Sequence, residues 1–231
     1  MMFVHVPSRR PPGARWATPL LVLASMAAFV WLASLGDPAA RADALLRWGT
    51  LSQTDITAIS QWQSVLSDRH LLSLFSAIFI HADWLHLMGN MLFLVIFGLP
   101  AERALGAGRF LILFVFSGAL SNLFAAILMA GDDRLLIVGA SGAISALIAA
   151  FLVLFPAARL GFVLPLGLYL EFIRVRAWLM IGIWAFIQGL FAYVGPAFGM
   201  AAWWAHVFGF VVGVGMALLF RPAVARRLRS R

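Results

Sequence analysis

Two residues within long apolar stretches, a serine and a histidine, could together carry out nucleophilic catalysis. Ser141 lies in the segment Gly139-Ala140-Ser141-Gly142, where one apolar stretch begins, and His206 lies in a later stretch. A serine hydroxyl is a weak nucleophile until a nearby base takes its proton, and histidine is the usual base. Backbone N–H groups at the start of a helix lack helical partners and could stabilise an oxyanion. The serine is therefore a candidate nucleophile and the histidine a candidate base.

The small residues around this pair also have a purely structural interpretation. After the serine they recur at intervals of four, at Gly142, Ala146 and Ala150. After the histidine they follow at helical spacing, at Gly209 and Gly213. Small residues at this spacing let membrane helices approach closely, so the serine could be one more packing residue. If the two small-residue faces pack against each other, however, they also bring Ser141 and His206 into contact.

A third polar cluster could supply hydrogen-bond donors to the same reaction. His86 and Asn90 are four residues apart, so a helix places them on one face, and His81 precedes them in the chain. An imidazole and an amide directed at one point could stabilise the oxyanion of a tetrahedral intermediate. The same two side chains could instead make interhelical hydrogen bonds, which is the simpler interpretation of this cluster alone.

The composition of the chain excludes a soluble domain around these residues. Of the 231 residues, 63% are hydrophobic and 11% are charged, whereas a soluble domain averages about 45–50% apolar and about 25% charged residues. The bilayer must therefore be the solvent for most of the chain. Cysteine is absent, which excludes disulfides, thiolate metal ligands and a cysteine nucleophile. We expect an all-α, polytopic integral membrane protein.

Six apolar stretches predict membrane helices, each near the length of about 20 residues that a bilayer requires. They run from Ala17 to Leu35, Trp84 to Ala101, Arg109 to Ala130, Gly139 to Phe155, Ala177 to Val194 and Ala202 to Phe220. The first follows several arginines, as a secretion signal does. Its apolar run is longer than the ~7–15 residues of a signal core, which favours a retained helix.

The remaining segments complete the expected organisation. Residues 1–16 form a cytoplasmic N-terminal segment, residues 17–220 the six-helix membrane domain and residues 221–231 a basic cytoplasmic tail. Within the domain, residues 36–70 are polar and read as a long outer loop with short interfacial helices. The segment from Leu160 to Phe172, which Pro165 interrupts, is expected to lie at the membrane surface.

The distribution of arginine predicts the orientation of the chain. All 17 basic residues are arginine, and loops rich in basic residues stay in the cytoplasm. With the N-terminus inside, the net charge is +11 on the cytoplasmic side and −3 outside. We therefore expect both termini in the cytoplasm and a tail that contacts membrane lipids rather than nucleic acid. The arginine-only basic set and the lack of a recognisable organelle signal favour a bacterial inner membrane.

Taken together and in this order, the motifs resemble those of the rhomboid family of intramembrane serine proteases. The resemblance extends from about Ala77 to Gly213. It includes His81, His86 and Asn90, the Gly139 to Gly142 segment, Ala205 with His206, Gly209 and Gly213, and a link containing Glu102, Gly106, Arg109 and Phe110. It implies a six-helix bundle in which Ser141 is the nucleophile and His206 the general base.

The resemblance also implies roles for the residues around this pair. His86, Asn90 and Ser141 would form the oxyanion hole, and the residues that would support the site are His81, Gly139, Gly142, Gly209 and Gly213. The implied substrates are single-pass membrane proteins, cut near the outer face where Gly, Ala or Pro destabilises a helix. No cofactor and no metal are implied. The dyad needs no acid, and no Asp or Glu lies deep in a predicted span; Asp83 is expected as a solvated charge at the interface.

The sequence departs from the family pattern at two places. Leu72 and Ser73 occupy positions where many rhomboids carry Trp-Arg. This difference affects the anchoring of the outer loop. Ser145 stands where many relatives have an aromatic residue that packs on the catalytic histidine. We expect Trp203 or Trp204 to fix the imidazole instead.

Two other functions compete with proteolysis. A non-catalytic rhomboid-like protein would bind and escort membrane proteins without cutting them, but such proteins typically lack the serine or the histidine. A transporter or metal site could use the three histidines of the motifs, but no intramembrane carboxylate pairs with them. The sequence also has no His-Glu-x-x-His zinc motif.

Overall fold

Helices make up most of the chain in the computed structural model, which describes residues 15–51, 68–128, 136–166, 169–194 and 200–229. The helices are α1 (Ala17–Ser34), α2 (Pro38–Trp48), α3 (Asp68–Ser76), α4 (Trp84–Leu105), α5 (Ala107–Leu128), α6 (Ser141–Leu154), α7 (Ala177–Val194) and α8 (Met200–Arg229). The strands form two antiparallel pairs, β1 (Thr50–Leu51) with β2 (Leu136–Ile137) and β3 (Arg159–Leu166) with β4 (Tyr169–Arg176). The predicted all-α architecture is confirmed for the bundle, to which these strands are additions.

Each of the six predicted spans contains a helix, but the helices differ in length. Within the described residues, α1, α4, α5 and the Trp203–Arg226 part of α8 are long and apolar enough to cross a membrane. The apolar helix α6 has 14 residues, about 21 Å at 1.5 Å per residue, against a hydrocarbon core of ~30 Å. The apolar part of α7, Ala177–Tyr193, is also below the length of the other four.

The short helix α6 lies inside the bundle. Every residue from Gly142 to Phe151 is buried, and the helix packs against α4, α5, α7 and α8. A helix that is apolar all round belongs in such an interior position. Gly139 and Ala140, just before α6, are buried as well, and irregular backbone is tolerated at membrane depth where protein encloses it.

Glycines allow α8 to lie directly against α6. A Cβ at Gly209 would lie 2.9 Å from the Ser121 hydroxyl and still closer to the carbonyl oxygen of Gly142. A Cβ at Gly213 would lie 2.8 Å from the carbonyl carbon of Ala146. The two helices therefore touch through their backbones, and the small-residue faces recognised in the sequence face each other.

A carboxylate from α4 caps the N-terminus of α1. Glu102 is buried and accepts hydrogen bonds from the backbone N–H of Ala17 (2.9 Å) and from the N–H (2.9 Å) and hydroxyl (2.7 Å) of Thr18. Trp16, the N-cap residue, makes no side-chain cap of its own. The first N–H groups of a helix lack helical partners and favour negative charge nearby, so Glu102 satisfies both needs and joins the two helices.

In the described part of the expected outer loop, hydrogen bonds join helix α2 and strand β1 to helix α3. The Thr50 hydroxyl donates to the Ser73 carbonyl (3.1 Å), and the Ser76 hydroxyl donates to the Trp48 carbonyl (2.7 Å). Strand β1 pairs with β2 just before the Ser141 segment. These contacts anchor α2 and α3 in a chain that lacks Trp-Arg at Leu72 and Ser73. The rest of the loop, residues 52–67, lies outside the described residues, as do residues 1–14 of the expected N-terminal segment.

The segment expected to lie along the membrane surface belongs to a β hairpin, which the sequence analysis did not predict. Strands β3 and β4 pair in register from Arg159↔Arg176 to Leu166↔Tyr169. Pro165 prevents a continuous helix, and both strands of a two-stranded sheet are edges, where proline is tolerated. From Ile173 to Arg176, the residues are alternately half-buried and exposed. This period of two is typical of a strand.

Candidate functional site

A cavity of about 510 Å³ joins the residues that the motifs singled out. Ser141, His206, His86, Asn90 and Gly139 all line it. They come from the start of α6, from α8, from the first two turns of α4 and from the segment before α6. The fold thus brings a serine, two imidazoles and an amide from separate parts of the chain to one cavity.

The turn before α6 requires glycine at position 139. Gly139 has φ +109°, a conformation that side chains rarely adopt, and a Cβ there would lie 2.6 Å from Cε1 and 2.7 Å from Nε2 of His86. Its N–H donates to the Ala77 carbonyl (2.8 Å), which fixes the turn against the end of the outer loop. Ser141 follows as the first residue of α6, half-buried at the cavity.

The contact between α6 and α8 places the serine and the histidine at the same cavity. A Cβ at Gly142, next to Ser141, would lie 3.4 Å from the carbonyl oxygen of Ala205, next to His206. Gly142, Gly209 and Gly213 do not line the cavity. These glycines instead allow α6 and α8 to approach closely, so that the side chains of Ser141 and His206 line the same cavity.

Among the described residues, the side chains of Gln188, Trp203 and Trp184 contact the His206 ring. Its Nδ1–H donates to Oε1 of Gln188 on α7, at 2.6 Å. Trp203 meets the ring edge-on, with centroids 5.8 Å apart and an interplanar angle of 89°, and the Trp184 ring centroid lies 6.4 Å away. Of the two tryptophans expected to fix the imidazole, Trp203 does so, whereas Trp204 packs against Phe208.

Ser145 does not take the place of the aromatic residue found in many relatives. Its hydroxyl donates to the carbonyl of Ser141, one turn earlier in α6, at 2.7 Å. The side chain lines the cavity and leaves room beside it. Support for the His206 ring therefore comes from α7 and α8 rather than from α6.

His86 and Asn90 lie one turn apart on α4, as their spacing predicts. The Asn90 amide donates to the His86 carbonyl (3.0 Å), and Asn90 is buried whereas His86 is half-buried. Asp83 is exposed, as expected, but it also caps α4, because its carboxylate accepts the backbone N–H of His86 at 2.8 Å. The cap fixes the turn that carries His86.

His81 is fully buried and lies behind the cavity rather than on its lining. Its Nδ1–H donates to the Phe79 carbonyl (3.1 Å), and its Nε2 accepts the backbone N–H of Ala140 (3.4 Å). The ring meets that of His86 edge-on, with centroids 5.1 Å apart. Burial, followed by the proximity of His86, lowers the pKa of His81 to about 4, against the raising effects of Phe79 and Asp83. A neutral His81 thus holds the residue immediately before Ser141.

Two polar residues of the cavity were missed by the sequence analysis. Gln188 contacts His206, and the Asn122 amide donates to the Leu74 carbonyl at 2.9 Å. Both lie inside predicted membrane spans, where polar side chains are costly and usually functional. That signal was present in the sequence. Among the described residues, no group of three His, Asp or Glu side chains is arranged to hold a metal ion.

Comparison with known proteins identifies the family of this chain. The family model of the rhomboid domain matches residues 68–223, so this chain belongs to the rhomboid family, and the resemblance recognised in the motifs is confirmed. Together with its apolar helices, this makes it an integral membrane protein.

Two curated proteins of Arabidopsis thaliana are similar to this chain. RHOMBOID-like protein 5 is 28% identical over 158 residues, which cover 61% of this chain and 51% of that protein. The mitochondrial RHOMBOID-like protein 6 is 31% identical over 91 residues, which cover 39% of this chain and 29% of that protein. The chain therefore matches about half the length of the first relative and less than a third of the second.

Proposed function

We propose that this protein is an intramembrane serine endopeptidase that cuts single-pass membrane proteins at or near the outer membrane face. The observation that carries the proposal is the cavity shared by Ser141, His206, His86 and Asn90. Family membership supports the reaction class, since rhomboids are usually serine proteases. The chain also keeps both members of the dyad, unlike a typical non-catalytic relative.

In the proposed reaction, the Ser141 hydroxyl attacks the scissile carbonyl carbon while Nε2 of His206 takes its proton. The tetrahedral intermediate collapses when the C–N bond breaks, and the His206 imidazolium gives its proton to the leaving amine. Water then attacks the ester formed with Ser141, again with His206 as the base, and releases the second fragment. These reaction steps need only the substrate, water, Ser141 and His206, and no cofactor takes part.

The oxyanion of each tetrahedral intermediate needs hydrogen-bond donors in a fixed position. We assign this role to the backbone N–H of Ser141 and the side chains of His86 and Asn90. An amide has two N–H groups, and the bond from Asn90 to the His86 carbonyl uses one, so the other can face the cavity. Gly139 allows His86 to lie against the turn before the serine, which keeps these donors together.

The substrate has to leave its helical conformation before it can react. In a helix the backbone carbonyls are hydrogen-bonded and shielded by side chains, and hydrogen-bonded peptide groups resist leaving that state in lipid. Gly or Pro near the cleavage site lowers the cost of unwinding the helix, and the small side chain of Ala leaves the backbone more exposed. Single-pass helices with such residues near the outer face are therefore the proposed substrates, and membrane lipids are the only other partner.

The proposed topology has six spans and both termini in the cytoplasm of a bacterial inner membrane. Support comes from the arginine distribution and from the helix found at each predicted span. In this arrangement α6 is a short central span surrounded by longer helices, and the Ser141 end of α6 faces the outer side. The cavity then opens toward water, which deacylation requires.

The direct test incubates purified protein in detergent with a model single-pass substrate and compares wild type with Ser141→Ala. We expect cleavage by the wild type and none by the variant, whose thermal stability should match because alanine suits a small-residue face. A fluorophosphonate probe should label the wild type at Ser141. Binding of the substrate without cleavage by either protein would favour the escort function instead.

A further inference from the structure

We propose that Gln188 is a positioning residue for the catalytic histidine: its side-chain carbonyl holds His206 in the tautomer that can accept the serine proton. The inference rests on the proposed function of Ser141 and His206. It adds a residue on α7 to a site that the motifs place only on α4, α6 and α8.

The contact between the two side chains is short and buried. Gln188 Oε1 lies 2.6 Å from His206 Nδ1, and only 8% of the Gln188 residue is exposed. Nδ1 carries the proton in this bond, because an amide oxygen can only accept. A neutral imidazole has one N–H, so the proton at Nδ1 leaves Nε2 with a free lone pair, and Nε2 is the atom that can take the proton of Ser141.

The opposite orientation of the amide would abolish base catalysis. If the Gln188 NH₂ group faced the ring, Nδ1 would accept and the proton would sit on Nε2. A histidine in that tautomer cannot deprotonate Ser141. The acceptor that orients the ring therefore decides whether the site can react, as the orienting partner of a catalytic histidine does in other serine enzymes.

The rest of the environment makes Gln188 the polar support of this ring. The aromatic that packs on the histidine in many relatives is replaced by Ser145, whose hydroxyl is bonded within α6. Trp203 and Trp184 contact the ring through their aromatic groups, which limits its tilt but does not select a tautomer. Selection of the tautomer falls to the Gln188 carbonyl.

A neutral amide suits this depth better than a carboxylate. An ionised carboxylate inside a membrane helix is costly, and an amide avoids that charge. The carbonyl dipole still favours the imidazolium that forms when His206 takes the proton. Gln188 therefore orients the base in the resting site and stabilises its charged form in the transition state.

Gln188→Met tests the inference, because methionine keeps the length and volume of the side chain but removes the carbonyl. We expect kcat to fall at least about 10- to 100-fold, the loss seen when the orienting partner of a metal-bound histidine is removed, with KM nearly unchanged. Gln188→Asn, whose side chain is too short to reach Nδ1, should also lower kcat and leave KM nearly unchanged. It serves as the second variant if methionine impairs folding.

The spectroscopic readout does not depend on turnover. In protein labelled with ¹⁵N-histidine, the His206 signals, assigned by their loss in His206→Phe, should show protonated Nδ1 and bare Nε2 in the wild type. Gln188→Met should convert them to a mixture of tautomers. Asn122→Leu is the matched control, because it removes another amide from the same cavity but one bonded to Leu74; it should leave the His206 signals unchanged.

Three results would overturn the inference: protonated Nε2 in the wild type, wild-type kcat and tautomer in both Gln188 variants, or an equal shift of the signals in Asn122→Leu. Failure of the proposed function looks different. In that case the wild type itself would neither cleave the model substrate nor react with the fluorophosphonate probe.

Discussion

Uncharged groups hold one another in place around Ser141. His206 is bonded to the neutral Gln188, and the neutral His81 accepts the N–H of Ala140, the residue before the serine. Asn90 is bonded to the backbone of its own helix. A site assembled in this way avoids the cost of burying charge in the bilayer and can still develop charge transiently during a reaction.

The separate roles of base and oxyanion donor predict different losses of activity. His206→Ala removes the group that accepts the serine proton, so proteolysis and labelling of Ser141 by a fluorophosphonate should both disappear. Asn90→Ala removes one of several donors, so turnover should fall by about 10²–10³ while some activity survives. Cleavage of a model substrate and probe labelling, measured side by side, distinguish the two.

The double variant of His86 and Asn90 completes that experiment. It should cleave more slowly than either single variant, since both side chains would then be missing from the oxyanion hole. Full activity of a correctly folded Asn90→Ala protein would show that the amide is a structural bond within α4 and nothing more.

The buried His81 predicts that stability falls in mild acid. Its pKa is lowered to about 4 in the folded protein, against an ordinary value of 6.5, so the unfolded chain binds more protons between these values. The free energy of unfolding keeps its full value above about pH 6.5. It decreases by up to about 3 kcal/mol as the pH falls towards 4. Thermal unfolding in detergent from pH 7 to pH 4 should show this loss. His81→Gln, which has no titrating group, should show a shallower loss; an identical slope in both proteins would contradict the assignment.

At the scale of the elements, the approach of α8 to α6 is what unites the site. Gly209 and Gly213 lie against the backbone of α6 at Gly142 and Ala146. Any side chain at these two positions would separate the helices and move His206 away from Ser141. The distance between Ser141 and His206 thus depends on residues that do not line the cavity.

Gly209→Ala should therefore impair both stability and activity. The added Cβ would overlap the Gly142 carbonyl, and overpacking of this kind costs about 1–3 kcal/mol. Gly215→Ala is the matched control on the same helix, because a Cβ there meets no atom within 4 Å and alanine favours the helix. Thermal unfolding and substrate cleavage should both drop for the first variant only. Equal behaviour of the two variants would mean that α6 and α8 tolerate a wider separation.

The elements also show how far the sequence alone could lead. Hydropathy located a helix at each of the six spans, and the four-residue spacing of small residues identified the faces through which α6 and α8 meet. The β3–β4 hairpin was missed because the segment was interpreted from the length of its apolar run. The alternation of apolar residues with Arg174 and Arg176, which is typical of a strand, was overlooked. Gln188 could have been noticed as an amide inside an apolar span, but its pairing with His206, 18 residues away on another helix, becomes visible only when the helices are packed.

On the scale of the whole molecule, the orientation in the membrane decides which compartment the cavity faces. The proposed topology predicts that a reporter fused after Arg231 lies in the cytoplasm and that a reporter inserted at Asp132-Asp133 lies outside. Asp132 and Asp133 are outside the described residues, so this prediction depends on the charge asymmetry of the loops. Paired reporters that are active on opposite sides of the membrane provide the measurement. An external tail would place the Ser141 end of α6 on the cytoplasmic side.

The cap that Glu102 provides to α1 has a consequence for the order of biogenesis. The two ends of this contact are 84 and 85 residues apart in the chain. At a synthesis rate of about 5–20 residues per second, the start of α1 is synthesised roughly 4 to 17 s before its capping carboxylate. During that interval only water or lipid headgroups can satisfy the first N–H groups of α1. Helix α1 is therefore capped only after Glu102 at the end of α4 has been synthesised, and a nascent chain arrested before Glu102 would carry α1 without this cap.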